Sequence, residues 1–251
     1  MNPLLTAVLL FAGLVVALLV GIRLRRLVPE HHLTADSKDA VKLAMGLVAT
    51  MTALLLGLLV SSAKGTYDTA RGEVMQMAAK VAFLDRVLAL YGPDAMPTRV
   101  ELRDAVVQSV RQIWPNEADT PAQLNPDAQA GAAMYLAIQH LSPGDDTQRG
   151  LKAQATSVAL DLAQLRALLV AQAAPSVSRP MLVVVACWLV LTFVGFGLLT
   201  PSNATTAFAL LASAFSVAAA LFLILELDQP FGGTIRISDA PMVNVVQHLA
   251  H

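Results

Sequence analysis

The sequence predicts an all-α, multi-pass membrane protein. It has four transmembrane helices and a helical extramembrane bundle between spans two and three. Three observations point there. Four apolar runs, at about 4–22, 40–63, 181–199 and 204–225, each approach or exceed the roughly 20 residues that carry a helix across a bilayer. Hydrophobic residues make up 56% of the 251 and charged residues only 14%, a balance outside the range of ordinary soluble domains. Aromatics amount to 5% while alanine and leucine abound, which favours helix over strand. The chain divides into residues 1–63 with spans one and two, a helical region at 64–178, spans three and four at 179–226, and a tail at 227–251.

A formal net charge of −1 gives no electrostatic basis for binding nucleic acid. The single cysteine, Cys187, rules out an intrachain disulfide and any cysteine-based metal site. Inside an apolar run it reads as a small packing residue.

Span one, Leu4 to Ile22, is followed at once by Arg23, Arg25 and Arg26. A cleaved signal would carry its charge before the apolar core, so the run reads as an uncleaved anchor. Gly13, Ala17 and Gly21 recur every four residues and would let another helix come close. The connector that follows holds Pro29, His31 and His32. Two adjacent histidines with no further ligand at metal spacing read as solvated side chains. The basic residues of this connector place it in the cytoplasm, with the central region outside. Lys64, Arg71, Arg179 and Arg236 pull the other way.

Span two carries the feature on which the functional reading turns. At about 100° per residue, Gly46, Thr50, Ala53, Gly57 and Ser61 fall on one narrow stripe, and Lys64, Asp68 and Arg71 continue it. A small, weakly polar face on a membrane helix is built to meet other helices or water. Plain helix packing accounts for Gly46, Ala53 and Gly57 equally well. Beyond it, Val74, Met77, Val81, Leu84, Leu88 and Tyr91 form a helical seam that Gly92-Pro93-Asp94 ends. One long helix, or two nearly collinear ones, is expected from span two to Leu90.

A helix from Arg99 to Trp114 follows, with Thr98 expected as N-cap and Glu101 completing a capping box. Pro115, Pro121 and Pro126 bound a loop, and a modest helix runs from about Asp127 to Leu141. Ser142-Pro143 is expected to start the next helix, with Asp145 and Asp146 in its first turn. Its seam is Leu151, Ala155, Val158, Leu162, Leu165 and Leu169. The region is short for a domain and is expected to complete its core against a second copy. Pro175 and Pro180 mark the return to the membrane, and a short connector after Leu199 makes spans three and four a tight hairpin. No span holds a charge at mid-depth, which argues against a proton relay.

The tail opens with Glu226 and Asp228, expected to cap span four at the water interface near Arg236 or Arg179. Pro230, Phe231, Gly232 and Gly233 form a turn, Thr234 to Ser238 reads as a short strand or extended segment, and an amphipathic helix runs from Pro241 to about Leu249. That helix would lie on the membrane surface or cap the central bundle.

Two stretches together, LLLGLLVSSAKGTYD at 54–68 and LELDQPFGGTIRISDAP at 225–241, resemble the bacterial bestrophin-like membrane proteins. The specific content is Asp228, Pro230, Phe231, Gly233, Ile237, Ser238 and Pro241. The resemblance implies two spans, about a hundred helical residues, two more spans and this tail, with remote kinship to bestrophin anion channels. Span two carries Leu and Val where a bestrophin neck has rings, so no pore residue is carried over. The reading that follows is an oligomeric ion channel in the bacterial inner membrane, its pathway bordered by span two and its mouth ringed by Lys64, Asp68 and Arg71. A non-conducting scaffold or sensor, whose helical region binds a partner, is the alternative. No catalytic residue, cofactor or metal site is expected: there is no phosphate loop or nucleophile setting, and His140 and His248 stand alone. The expected partners are lipid, further copies of the chain and inorganic ions, without nucleic acid.

Overall fold

The computed structural model describes residues 2–27, 34–115, 128–172, 177–199 and 203–249. Its elements are α1 (Pro3–Leu27), α2 (Ala35–Tyr91), a 3-10 turn (Pro93–Ala95), α3 (Met96–Ile113), α4 (Ala128–His140), α5 (Asp146–Gln172), α6 (Arg179–Leu199), α7 (Ala204–Leu227) and α8 (Ala240–His248). Among the described residues there is no strand; 234–238 is bent, extended chain. Pro29, His31, His32, Pro121, Pro126, Asp127, Pro175 and the connector at 200–202 lie outside the described residues, as does the Arg179 side chain. The chain forms two compact units, Met1–Gly65 with Ser176–Asp228, and Thr66–Pro175 with Gln229–His251.

The first unit holds four helices long and apolar enough to cross a membrane: α1, the first part of α2, α6 and α7. In lipid there is little hydrophobic drive between helices, so close packing has to hold them together. Helix α1 packs on α6 and α7. Where α1 crosses α6, Gly21 and Gly197 bring the two backbones together: a Cβ on Gly21 would stand 2.2 Å from the Val194 carbonyl oxygen, and one on Gly197 would stand 2.4 Å from that of Leu18. Of the expected small face, Ala17 and Gly21 are buried but Gly13 is exposed with open space around it. A spacing of four advances about 40° per step, so Gly13 has drifted some 80° from Gly21 and off the seam, which Leu14 fills instead. At the start of α7, Asn203 accepts from the Thr206 amide and Thr206 from the Asn203 amide, a reciprocal cap.

The second unit is a bundle of α3, α4, α5, α8 and the distal part of α2. Val74, Val81, Leu84, Leu88 and Tyr91 are buried along α2, Leu102, Val106 and Ile113 along α3, and Ala155, Val158 and Leu169 along α5. The tail adds Phe231, Ile237, Met242 and Leu249 to the same core, and α8 packs on α3. The final helix therefore caps the bundle. Two expected caps fall elsewhere. Helix α3 starts at Met96, straight out of the 3-10 turn and with Pro97 in its first turn, so Thr98 is a buried helical residue rather than the N-cap. At α5 the cap is Asp145, whose carboxylate accepts from the Gln148 amide at 2.7 Å; Ser142 lies too far upstream. Gly92 ends α2 with φ 115°, a conformation that L side chains rarely adopt.

Polar pairs join these helices. Arg99 of α3 donates through Nε and Nη2 to the two oxygens of Asp85 on α2, at 2.8 and 3.0 Å, with both side chains nearly buried. The carboxylate holds the Arg99 guanidinium pKa above its usual value, chiefly through that bond, against the opposing effect of burial. Lys80 of α2 meets Asp161 of α5 at 2.6 Å on the half-exposed surface. Gln148 of α5 donates to the Tyr91 carbonyl at 3.0 Å. The Tyr91 hydroxyl is buried and has no hydrogen-bond partner among the described residues. Burial first, then the charges of Asp94 and Asp145, raise its pKa above the ordinary 10.0.

Two outcomes follow. Gly21→Val should destabilise the first unit by about 1–3 kcal/mol through forced backbone separation, while Gly13→Val leaves thermal unfolding in detergent nearly unchanged. For Tyr91, the folded chain keeps the phenol protonated at pH values where the unfolded chain has released it. That stability is whole below pH 10.0 and is lost as pH climbs through the raised folded value. Melting curves from pH 8 to pH 11 should fall more steeply for the native chain than for Tyr91→Phe. At neutral pH the variant should be at least as stable, because it removes an unpartnered hydroxyl that costs about 1–3 kcal/mol.

Candidate functional site

Helix α2 runs unbroken for 57 residues, about 85 Å at 1.5 Å per residue. Through the first unit its faces have distinct fates. Thr52, Leu59 and Ala63 are buried in the chain's own helices, with Met45 and Val48 half-buried beside them. Met45 reaches α6 at Gly195, where a Cβ would stand 2.4 Å from its sulfur. Gly46, Thr50, Ala53, Gly57 and Ser61 are all exposed, roughly opposite that buried edge. A Cβ added to Gly46 or Gly57 would meet nothing within 4 Å. Leu47, Leu54 and Leu58 are exposed beside the stripe and supply an apolar neighbour to it. The stripe thus belongs to the broad face of α2 that its own chain leaves uncovered, a face that also carries Leu43, Leu47, Leu54 and Leu58.

The chemistry of the stripe is mild. The Thr50 hydroxyl donates to the Gly46 carbonyl at 2.8 Å, which satisfies its proton within the helix and leaves oxygen lone pairs outward. The glycines expose backbone where a side chain would shield it. Lys64 closes this run at the end of the first unit and is exposed. In the second unit Asp68 and Arg71 are exposed on α2 at helical spacing from it. Lys64 and Asp68 both have interactions within the chain.

The tail motif divides between the units. In the first, Glu226 and Asp228 are buried, at 3% and 7% exposure, rather than standing in water at the end of span four. Asp228 accepts from the Val177 amide at 3.2 Å, so its carboxylate ties the end of α7 to the approach to α6. Exposed Arg236 belongs to the second unit. There the turn closes with the Ile237 amide donating to the Pro230 carbonyl at 2.8 Å, and Gly233 takes φ 69°. Trp114, the residue that follows α3, donates through Nε1 to the Ile237 carbonyl at 2.8 Å, and its ring meets Phe231 edge-on with centroids 6.0 Å apart. Pro230, Phe231 and Gly233 therefore anchor the tail. The sequence reading did not single out Trp114 or the Asp85–Arg99 pair; an indole and a charge pair on otherwise apolar seams were the available signals. No group of three or more acidic, histidine or cysteine side chains able to hold a metal occurs among the described residues.

The Bestrophin-like domain profile matches residues 9–242. No curated protein matches the sequence. Crystal structures of point variants of a bacterial bestrophin homologue from Klebsiella pneumoniae share the fold. One superposes with a TM-score of 0.70 at 16% identity, covering 98% of this chain and 96% of that one. Another gives 0.68 at 16% identity over 97% and 96%.

If the stripe meets protein or water rather than acyl chains, cysteines placed on it should show so. In a Cys187→Ser background, Thr50→Cys, Gly57→Cys and Ser61→Cys should react with a charged thiol reagent or cross-link between copies. Leu54→Cys, on the adjacent apolar face, should do neither, as mass spectrometry of protein in native membranes would record.

Proposed function

We propose, from the premise that this chain belongs to the bestrophin-like family, that it is an oligomeric ion channel of the bacterial inner membrane. Copies gather around an axis bordered by the stripe of α2. One observation carries the reading: the small, weakly polar face of α2 stays uncovered along the membrane part of the helix while the opposite edge is buried in the chain's own helices. A solitary subunit would set Gly46, Thr50, Gly57 and Ser61 against lipid, where this small face forgoes the close approach of another helix, or of water, that it is suited to. Around an axis the same residues border a narrow passage with hydroxyl oxygens and backbone, compatible with passing inorganic ions. Lys64, Asp68 and Arg71 repeat in every copy and form charged rings near its mouth. Selectivity then depends on how those rings balance, because both signs are present.

Purified protein in liposomes should pass ions, and Gly57→Leu should cut the flux at least tenfold while leaving the size of the solubilised assembly unchanged. Asp68→Asn should shift the reversal potential under a salt gradient. A solitary subunit in native mass spectra, or liposomes with no conductance at any voltage or pH, would refute the proposal.

A further inference from the structure

The interior of the second unit is not filled. A cavity of about 110 Å³ lies among α2, α3, α4, α5 and the tail. Its deep wall is Val74, Leu102, Val106, Trp114 and Phe231, all buried. Its mouth lies between α3 and α5, where Ala105, Ser109, Ala163 and Arg166 are partly or fully exposed.

Water is a poor occupant. A buried water needs two to four polar partners. The Ser109 hydroxyl already donates to the Ala105 carbonyl at 2.8 Å, and the Trp114 indole to Ile237. The volume is close to that of a dry cavity of about 150 Å³ known to accept benzene. It suits a short alkyl chain or a single small ring. Among the described residues Arg166 is the one charged residue on the wall, and it stands at the mouth rather than in the depth. A guanidinium has five donors in a planar fork, enough to engage a carboxylate in addition to its interaction within the chain. Apolar depth below a cation at the rim is complementary to one kind of molecule.

We propose that this cavity binds a small amphiphilic carboxylate, with its short apolar chain between Val74, Trp114 and Phe231 and its anionic head at Arg166. The occupant would touch α2 and the tail together. It would stabilise the folded second unit by mass action, because the unfolded chain offers no such site. The site is separate from the α2 stripe, and its test reads binding rather than conductance, so failure of the channel reading leaves it standing.

The chain has two tryptophans, so Trp188→Phe leaves Trp114 as the sole emitter. A pentanoate brominated at its far end should quench that emission saturably in the full-length protein in detergent, because a heavy atom quenches only at contact. Ala105→Leu and Ala159→Leu, which fill the cavity from two helices, should each weaken binding at least tenfold; a variant without a thermal transition is replaced by the other. Arg166→Gln should weaken the pentanoate about tenfold and leave the equally brominated pentanol unchanged. Quenching that rises linearly without saturation, or that both filled variants retain, would mean partition into the micelle and overturn the proposal. Equal loss of acid and alcohol in Arg166→Gln would overturn the carboxylate.

Discussion

One helix has to satisfy two solvents. The 57 residues of α2 begin among apolar spans and end in the extramembrane bundle without a break in their hydrogen-bond ladder. The code for each environment is written around the helix as well as along it. In the first unit, Thr52, Leu59 and Ala63 serve the chain's own packing and the opposite side keeps small residues. In the second, the buried seam becomes Val74, Val81, Leu84 and Leu88, as large as a soluble core demands. Glycine is tolerated at Gly46, Gly57, Gly65 and Gly72 because neighbouring turns supply the ladder, and none of the four has a neighbour that a Cβ would meet.

The two units are held by different forces, as their surroundings require. Water drives the second together by burying apolar area, and the Asp85–Arg99 pair then fixes how α2 and α3 lie on each other. Such a pair adds little net stability once its desolvation is counted, yet losing one partner strands the other as an uncompensated buried charge. The membrane unit has no comparable drive. Its helices are positioned by backbone approach at Gly21 and Gly197 and by the fit of Met45 against Gly195, contacts that act only at van der Waals range.

Much of this was legible in the residues. Periodicities of three and four marked the seams of α2, α3 and α5, and apolar runs marked the four spans. The stripe was readable as a stripe because five small residues share one angular sector. Less legible was anything set by a partner distant in sequence. Gly197 becomes meaningful only opposite Gly21, and nothing local distinguishes Gly13 from either. Thr98 satisfies every rule for an N-cap, but the 3-10 turn upstream had already begun the helix. Glu226 and Asp228 read as solvent-facing until Asp228 is seen to hold the Val177 amide. The extended segment at 234–238 alternates like a strand, but Ile237 bonds the Pro230 carbonyl and the Trp114 indole rather than a neighbouring strand.

The route of the chain through its own fold has a bearing on biogenesis. Phe231, Ile237 and Met242 complete a core whose other walls were made before spans three and four. Those walls, Trp114 and Leu102 among them, have no Phe231, Ile237 or Met242 to pack on until the residues after α7 exist. Closure of the second unit's core therefore comes after synthesis of α6 and α7, although most of that core is built from earlier residues.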